Sequence, residues 1–162
     1  MIRAGHGLGS RRTDGPAAGS AVLVRAAALG AATGLRSTAG LAALVVRRND
    51  SLPAVLHHPV ARPAALVAAA GELVTDKLPR TPSRLDPPAL AGRLIFAGLA
   101  AGVLARSAHQ GPVPAAAIAV AAALAAAKIG HDTRAAIARR LPDPVVAVAE
   151  DAVAIGLAAL GS

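Results

Sequence analysis

The chain of 162 residues contains no cysteine. Disulfide bonds, thiolate-bound metal ions and cysteine nucleophiles are therefore excluded, and the fold depends on packing for its stability. His57 and His58 have no acidic or thiolate companion at suitable spacing, so we expect no metal site, and nothing indicates a cofactor. Nucleotide-binding loops and the catalytic motifs of hydrolases and metalloproteases are also lacking. These absences make an enzyme the least favoured class.

Aromatic side chains are almost absent, because Phe96 is the only aromatic residue and neither tryptophan nor tyrosine occurs. Aromatic belts at a membrane interface cannot form, which counts against a membrane protein. There are also no rings on which nucleic-acid bases could stack. Basic residues outnumber acidic ones by 17 to 9, but they are scattered between apolar stretches. We therefore expect no nucleic-acid partner and interpret the arginines as topology determinants and contacts for anionic lipid headgroups.

What the chain does have is alanine, with 54% apolar residues and a mean hydropathy of +0.53. Its apolar stretches are near the short end of the length that crosses a bilayer, and short charged connectors with prolines separate them. This pattern predicts an all-α, polytopic transmembrane helix bundle of about five spans, forming one domain over residues 18–162 after a disordered basic tail over residues 1–17. A GC-rich coding bias would give a soluble, alanine-rich helical bundle the same composition, and that is the alternative. The five stretches cover about residues 16–46, 60–78, 88–106, 112–128 and 145–160.

The first stretch is too long for one simple crossing. Gly34 disfavours a continuous helix, and Ser or Thr is a favoured first residue of a helix. We therefore predict a broken first helix, in which one helix ends near Gly34 and a shorter one starts near Thr38, with Arg36 at the bend.

A five-span arrangement with a cytoplasmic N-terminus would place most basic segments on one side. The tail, the loop around Arg80 and Arg84, and the segment from Arg134 to Arg140 would be cytoplasmic, and mainly four arginines would lie opposite. This distribution satisfies the positive-inside rule. We therefore expect a multi-pass membrane protein with a cytoplasmic N-terminus.

Two carboxylates, Glu72 and Asp76, lie four residues apart near the end of the second stretch. On a helix they share one face and repel each other unless a proton, a cation or an arginine intervenes. Lys77, Arg80, Arg36 or a transported ion could fill that role. The alternative is a helix end at the membrane interface, with Glu72 in a salt bridge and its neighbours in water.

The adjacent acids Glu150 and Asp151 lie at the middle of the last stretch. Charged groups inside a membrane are costly and usually paired or functional. Adjacent helical residues point about 100° apart, so one acid could face the bundle interior while the other pairs with a neighbouring helix. The candidate basic partners are Arg36, Arg25, Lys128 and His131. In a soluble bundle the same acids would lie on a solvated face.

Two weaker patterns concern packing and symmetry. The spacings from Gly30 to Gly34 and from Gly98 to Gly102 match the close-packing motif of membrane helices, although small residues are common in this chain. The segment around Arg36 is also similar to the one around Arg106, and the helix of Glu72 is similar to that of Glu150. These similarities suggest a weak internal repeat of the kind found in transporters.

Several motifs together resemble a bacterial family of small integral membrane proteins, domain-of-unknown-function family 4126. The resemblance covers most of the chain from about residue 26 to 160, and its most specific part is the Glu-xxx-Asp-Lys-x-Pro core. It implies a multi-span protein of the bacterial inner membrane without an assigned activity. The positions to which it points are Arg36, Glu72, Asp76, Lys77, Pro79, Arg93, Glu150 and Asp151.

These observations lead to two functional expectations. The first is a small transporter or channel for an ion or small polar solute, in which Glu72 and Asp76 bind the cation or proton, Arg36 tunes them, and Glu150 or Asp151 completes the pathway. The second is a structural or accessory membrane protein whose buried charge pairs only fix helix packing. A homo-oligomer is compatible with either. Lys77 and Arg93 complete the set of expected binding residues.

Overall fold

The computed structural model describes residues 16–47, 53–75, 85–137 and 143–162. Over these residues the protein has six helices of nine residues or more, one four-residue helix and no strand. The all-α class is therefore confirmed. The helices are α1 (Pro16–Leu35), α2 (Ala39–Arg47), α3 (Ala54–His57), α4 (Ala61–Thr75), α5 (Pro87–Ser107), α6 (Pro112–Ile137) and α7 (Asp143–Gly161).

The helix ends follow local sequence signals. α1 ends at Leu35 and α2 begins at Ala39, directly after Thr38, so the predicted break in the first stretch is confirmed. Proline stands in the first turn of α5 and of α6, where its missing N–H costs no helical hydrogen bond. α1 already begins at Pro16, inside the predicted tail, and residues 1–15 lie outside the described residues.

α2 folds back along α1, so the break is a reversal of chain direction. Arg25 on α1 donates from Nε to the carbonyl of Gly161 at 3.3 Å, and Arg47 on α2 donates to the carbonyl of Ser162 at 3.1 Å. Arg36, in the turn between them, instead contacts Asp151 near the middle of α7. α1 and α2 therefore form a helical hairpin that lies against the C-terminal half of α7.

Small residues allow α1 and α6 to approach closely. A Cβ atom on Gly30 would collide with the backbone of Ala119, and one on Gly34 would collide with that of Ala123. Because both numbers increase together, the two helices are parallel. The close packing of the Gly30 and Gly34 pair thus occurs as its spacing suggests. Gly98 meets only ordinary contact, with a side-chain carbon of Val120 at 3.5 Å from its ideal Cβ position.

The core contains many small side chains, and many large apolar side chains lie outside. Eight alanines of α5 and α6 are buried, whereas Val24, Val67 and Val113 are 69%, 72% and 75% exposed. In water the exposed apolar side chains of this arrangement would cost free energy. In lipid they are compatible with their surroundings, and the small residues inside let the helices pack closely. The buried alanines include Ala97, Ala100, Ala101, Ala105, Ala115, Ala119, Ala123 and Ala127.

Three helices in the described part of the chain are long and apolar enough to cross a membrane: α1 from Ala17, α5 and α6. These three helices are compatible with a membrane protein. The five-span arrangement is not confirmed, because α4 has only 15 residues and α7 is not among these three helices. The internal repeat also stays a prediction. Its two arginines differ in environment, since Arg36 is buried and Arg106 is exposed.

The reversal at Arg36 changes the expected topology. Because α1 and α6 are parallel, the start of α1 and the end of α6, near Arg134, lie at opposite ends of the bundle. The five-span expectation requires the start of the first stretch and the end of the fourth to lie at the same end of the bundle, and this part of it is wrong; the tail lies outside the described residues. The physical reason is that the chain reverses at Arg36, so that α2 returns along α1. A cytoplasmic N-terminus stays a prediction, but the distribution of basic residues in the five-span arrangement no longer supports it.

Candidate functional site: a charged cluster between two cavities

Arg36 and Asp151 form an ion pair between the turn after α1 and the middle of α7. Their side chains are 5% and 15% exposed. Arg36 is the first residue after α1 and lies buried in the turn to α2, where the carboxylate of Asp151 reaches it. Of the four bases expected as partners of the two α7 acids, Arg36 is therefore the one that the described contacts bring to Asp151.

Glu72 on α4 binds the start of α2. Its Oε2 accepts hydrogen bonds from the backbone N–H of Thr38 at 2.9 Å and from the Thr38 hydroxyl at 2.7 Å, and its Oε1 accepts from the N–H of Ser37. These N–H groups have no partner within the helix, so a carboxylate from another helix satisfies them. α4 is outside the three candidate spans. Burial raises the pKa of Glu72, but the hydrogen bonds from Thr38 and Ser37 outweigh it and leave the pKa below the ordinary 4.5.

Arg93 on α5 connects the end of α1 to α4. Its Nη1 donates to the carbonyl of Gly34 at 3.1 Å, and its Nη2 lies 3.9 Å from Oε1 of Glu72. The side chain is only 5% exposed. The guanidinium therefore satisfies a terminal carbonyl of α1 and balances part of the charge of Glu72. Only the family resemblance had pointed to Arg93.

Glu150 has a different partner from its neighbour. Its Oε2 lies 3.7 Å from Nη2 of Arg134 on α6, with the carboxylate side chain 11% exposed. Sequence reasoning missed Arg134 because it lies on the polar end of α6 and nothing in the sequence relates it to α7. The other proposed bases are engaged elsewhere. Arg25 contacts Gly161, and Lys128 pairs with Asp132 at 2.9 Å in an exposed i,i+4 pair.

The structure thus brings together five of the seven predicted site residues. The remaining two, Asp76 and Lys77, lie outside the described residues, as does Pro79. The residues that sequence reasoning missed are Arg134 and the two cap donors, Ser37 and Thr38. Thr38 was predicted to start a helix, but nothing in the sequence indicated that Glu72 would accept its hydrogen bonds. The five residues brought together are Arg36, Glu72, Arg93, Glu150 and Asp151.

The cluster lies toward one end of the apolar segment of α6. Gly34 packs against Ala123, and the apolar segment ends at Lys128, about one to two helical turns further on. The mid-membrane position expected for Glu150 and Asp151 is therefore not supported, because that expectation treated α7 as a full span.

A first cavity, cavity 1, lies between α2, α4 and α7 and has a volume of about 340 Å³. Arg36, Thr38, Glu72 and Asp151 lie at one end of it, and Arg47 and Ser162 line it at the other end of α2 and α7. The rest of the wall is apolar. It consists mainly of Ala39, Ala42, Ala43, Val46, Leu66, Ala69, Ala154, Ile155, Ala158 and Ala159.

A second cavity, cavity 2, lies between the end of α6 and the start of α7 and has a volume of about 360 Å³. Glu150 and Thr133 are its polar lining residues. Leu35 closes it on the side of α1. The other lining residues are Ile129, Gly130, Ile137, Val145, Val146, Ala149 and Val153.

Comparisons with protein-family models, with curated proteins and with solved structures gave no match. The resemblance to domain-of-unknown-function family 4126 therefore stays a prediction.

Proposed function

We propose that this protein is a small multi-span membrane protein that binds and transports a small polar solute through cavity 1. The observation that carries the proposal is that Arg36, Glu72 and Asp151 converge at one end of a cavity whose lining is mostly apolar. Small-molecule sites are typically apolar cavities of about 300–1,000 Å³ with a few convergent polar groups. Cavity 1 fits this description in size and in lining.

The lining favours one kind of solute among those expected. A bare ion would lose its hydration shell in cavity 1 and meet few replacement ligands on the alanine and valine wall. A solute with one charged or polar group and a small apolar part would satisfy both regions. Its polar group would contact Arg36 or Asp151, and its apolar part would lie against Ala42, Ala43 and Ala154.

A proteoliposome experiment tests transport directly. Swelling is followed by stopped-flow light scattering with potassium chloride, glycine, alanine, betaine and erythritol as probes. We expect protein-dependent entry of at least one organic solute, and loss of that entry in Asp151→Asn. The matched control is Asp132→Asn, the same substitution in an exposed pair that lines neither cavity, which should keep the entry. Equal entry in both variants would contradict a role for the cluster.

A second candidate function is supported by the pairing of the acids. Asp151, Glu72 and Glu150 each lie against an arginine, and the contacts join several different helices. This arrangement also suits a structural or accessory membrane protein whose charges fix helix packing. In that case Asp151→Asn would reduce folding or assembly and no probe would enter faster than in protein-free liposomes.

We further propose that the protein resides in a bacterial inner membrane with a cytoplasmic N-terminus. Arginines at its helix ends contact anionic lipid headgroups, and copies of the chain associate. The exposed side chains of Arg47 and Arg106 support the lipid contacts. Reporter fusions at the N-terminus test the orientation. Chemical cross-linking in vesicles tests whether copies of the chain associate. The comparison of vesicles with and without phosphatidylglycerol tests the contacts with anionic lipid.

A further inference from the structure

Neighbouring residues of the charged cluster line different cavities. Glu150 lines cavity 2 and Asp151 lines cavity 1, as expected for adjacent helical residues that point about 100° apart. The same division occurs on the other side of the ion pair, where Leu35 lines cavity 2 and Arg36 lines cavity 1. The two cavities therefore share a wall that consists of these two residue pairs.

The cavities extend toward opposite ends of the bundle. α7 is antiparallel to α1, because Arg25 contacts Gly161 and Arg36, further along α1, contacts Asp151. Along α7 the lining of cavity 1 covers residues 151–162, whereas that of cavity 2 covers residues 145–153. α1 is one of the three candidate spans. Cavity 1 thus extends toward the start of α1, and cavity 2 extends toward and beyond its end.

Between the turn after α1 and α7 the shared wall is held by side chains. α7 itself also lies between the cavities, since Asp151 and Ala154 line cavity 1 and Glu150 and Val153 line cavity 2. Arg36 pairs with Asp151 on the side of cavity 1, and Arg134 pairs with Glu150 on the side of cavity 2. The backbone of the hairpin turns at this point, so that no helix crosses the wall between Leu35 and Ala39. Rotation of long side chains takes place faster than rearrangement of packed helices. Separation of one ion pair could therefore connect the two cavities without repacking of α1 against α6.

We propose that cavity 2 is a second binding chamber for the same small polar solute, that it opens to the opposite membrane face from cavity 1, and that the Arg36–Asp151 pair is the partition between them. This inference rests on the proposed transport function and assigns it a pathway. In cavity 2 the polar group of the solute would contact Glu150 and Thr133, and its apolar part would contact Val146 and Val153. The two chambers have similar volumes, and each offers a carboxylate and a threonine hydroxyl beside an apolar wall to the same solute.

The absence of cysteine makes the test direct, since each introduced cysteine is the only thiol in the full chain. Three matched variants replace exposed alanines of α7: Ala149→Cys in cavity 2, Ala159→Cys in cavity 1, and Ala152→Cys, which lines neither cavity. A charged, membrane-impermeant methanethiosulfonate reagent is added to right-side-out and to inside-out vesicles. Modification is read by mass spectrometry of the purified protein.

The proposal expects Ala159→Cys to react from one membrane face only, Ala149→Cys to react from the other face only, and Ala152→Cys to react from neither. In the background of Asp151→Ala, which removes the side chain that Asp151→Asn would keep in place, Ala159→Cys should gain modification from the second face, because the partition is opened. Reaction of both cavity variants from the same face would overturn the proposal. Absence of reaction at both would also overturn it, since it would mean that lipid and not water reaches the cavities.

Failure of this pathway is distinguishable from failure of transport. Labelling needs no solute, so the two results are independent. Solute entry together with reaction of both cavities from one face would support transport and contradict the two-chamber pathway. Reaction from opposite faces without entry of any probe would support the two chambers and contradict transport. Gel filtration in detergent before labelling verifies that each variant is folded. If Ala159→Cys aggregates, another lining alanine of cavity 1 is replaced in its stead, as Ala69→Cys.

Discussion

The carboxylate of Glu72 on α4 caps the N-terminus of α2 through Thr38, accepting its backbone N–H at 2.9 Å and its hydroxyl at 2.7 Å. A helix cap is normally supplied by a residue next to the helix in sequence. Here it is supplied from a helix that follows a separate connector. The contact therefore fixes α4 against the hairpin of α1 and α2 and holds Arg93 beside the same carboxylate.

Removal of this cap should weaken the hairpin. We expect Glu72→Ala to lower the free energy of unfolding by about 1–3 kcal/mol, because it leaves two part-buried N–H groups without an acceptor. Thr38→Ala should cost less, and the double variant should cost less than the sum of the two, since both changes remove the hydrogen bond from the Thr38 hydroxyl to Glu72. Unfolding in detergent, followed by circular dichroism, measures all three. Strict additivity would contradict a direct cap.

The pH dependence of this contribution follows from the lowered pKa of Glu72. A carboxylate whose pKa is lower in the folded state stabilises the protein above its unfolded pKa, and this stabilisation is lost as the pH falls through the folded pKa. The stability difference between wild type and Glu72→Gln should therefore be greatest near neutral pH and shrink below the ordinary value of 4.5. Unfolding of both proteins in detergent across a pH series measures it. A difference that does not change with pH would contradict the inferred direction.

Arg36 and Asp151 should be strongly coupled. Arg36→Met and Asp151→Leu should each cost about 3–5 kcal/mol of unfolding free energy, because each leaves a buried charge without its partner. The double variant should recover much of that loss, since it removes both charges. If transport depends on the pair, the double variant should fold and yet move no solute in proteoliposomes. Retained transport would mean that the Arg36–Asp151 pair contributes to the structure of the protein and not to transport.

Close packing between α1 and α6 should depend on the glycines. Gly34→Ala should destabilise the protein by at least about 1–3 kcal/mol, because its Cβ would collide with backbone atoms that cannot rotate away. The matched control is Gly156→Ala on α7, where nothing lies within 4 Å of the new Cβ. There the higher helix propensity of alanine should leave stability unchanged or raise it by up to about 1 kcal/mol. Thermal unfolding of both variants in one detergent gives the comparison.

Membrane insertion should be visible in fractionation. With Val24, Ile95 and Val113 more than half exposed, we expect the protein to stay in the membrane pellet after an alkaline carbonate wash and to need detergent for release. Recovery of a monodisperse protein in the wash would instead support the soluble bundle.

Sequence reasoning predicted the helices more accurately than the contacts. The bounds of α5, and the break between α1 and α2, follow from proline, glycine and threonine at their ends, because these signals act within one or two turns. The hairpin was not predictable, since a broken helix at Arg36 could continue in any direction until α2 packs against α7. The expected five spans were wrong in their topology for this reason.

By itself, the sequence determined the helical class, the positions of most helix ends and the small-residue interior, because hydropathy and backbone preference depend on the residues present. Only the tertiary structure decided that Arg36 meets Asp151, that Arg134 meets Glu150 and that Glu72 caps α2. These partners are far apart in the chain, and an ionic or hydrogen-bonded contact depends on distances that helix packing alone sets. The same packing turned two adjacent acids of one helix toward two different cavities.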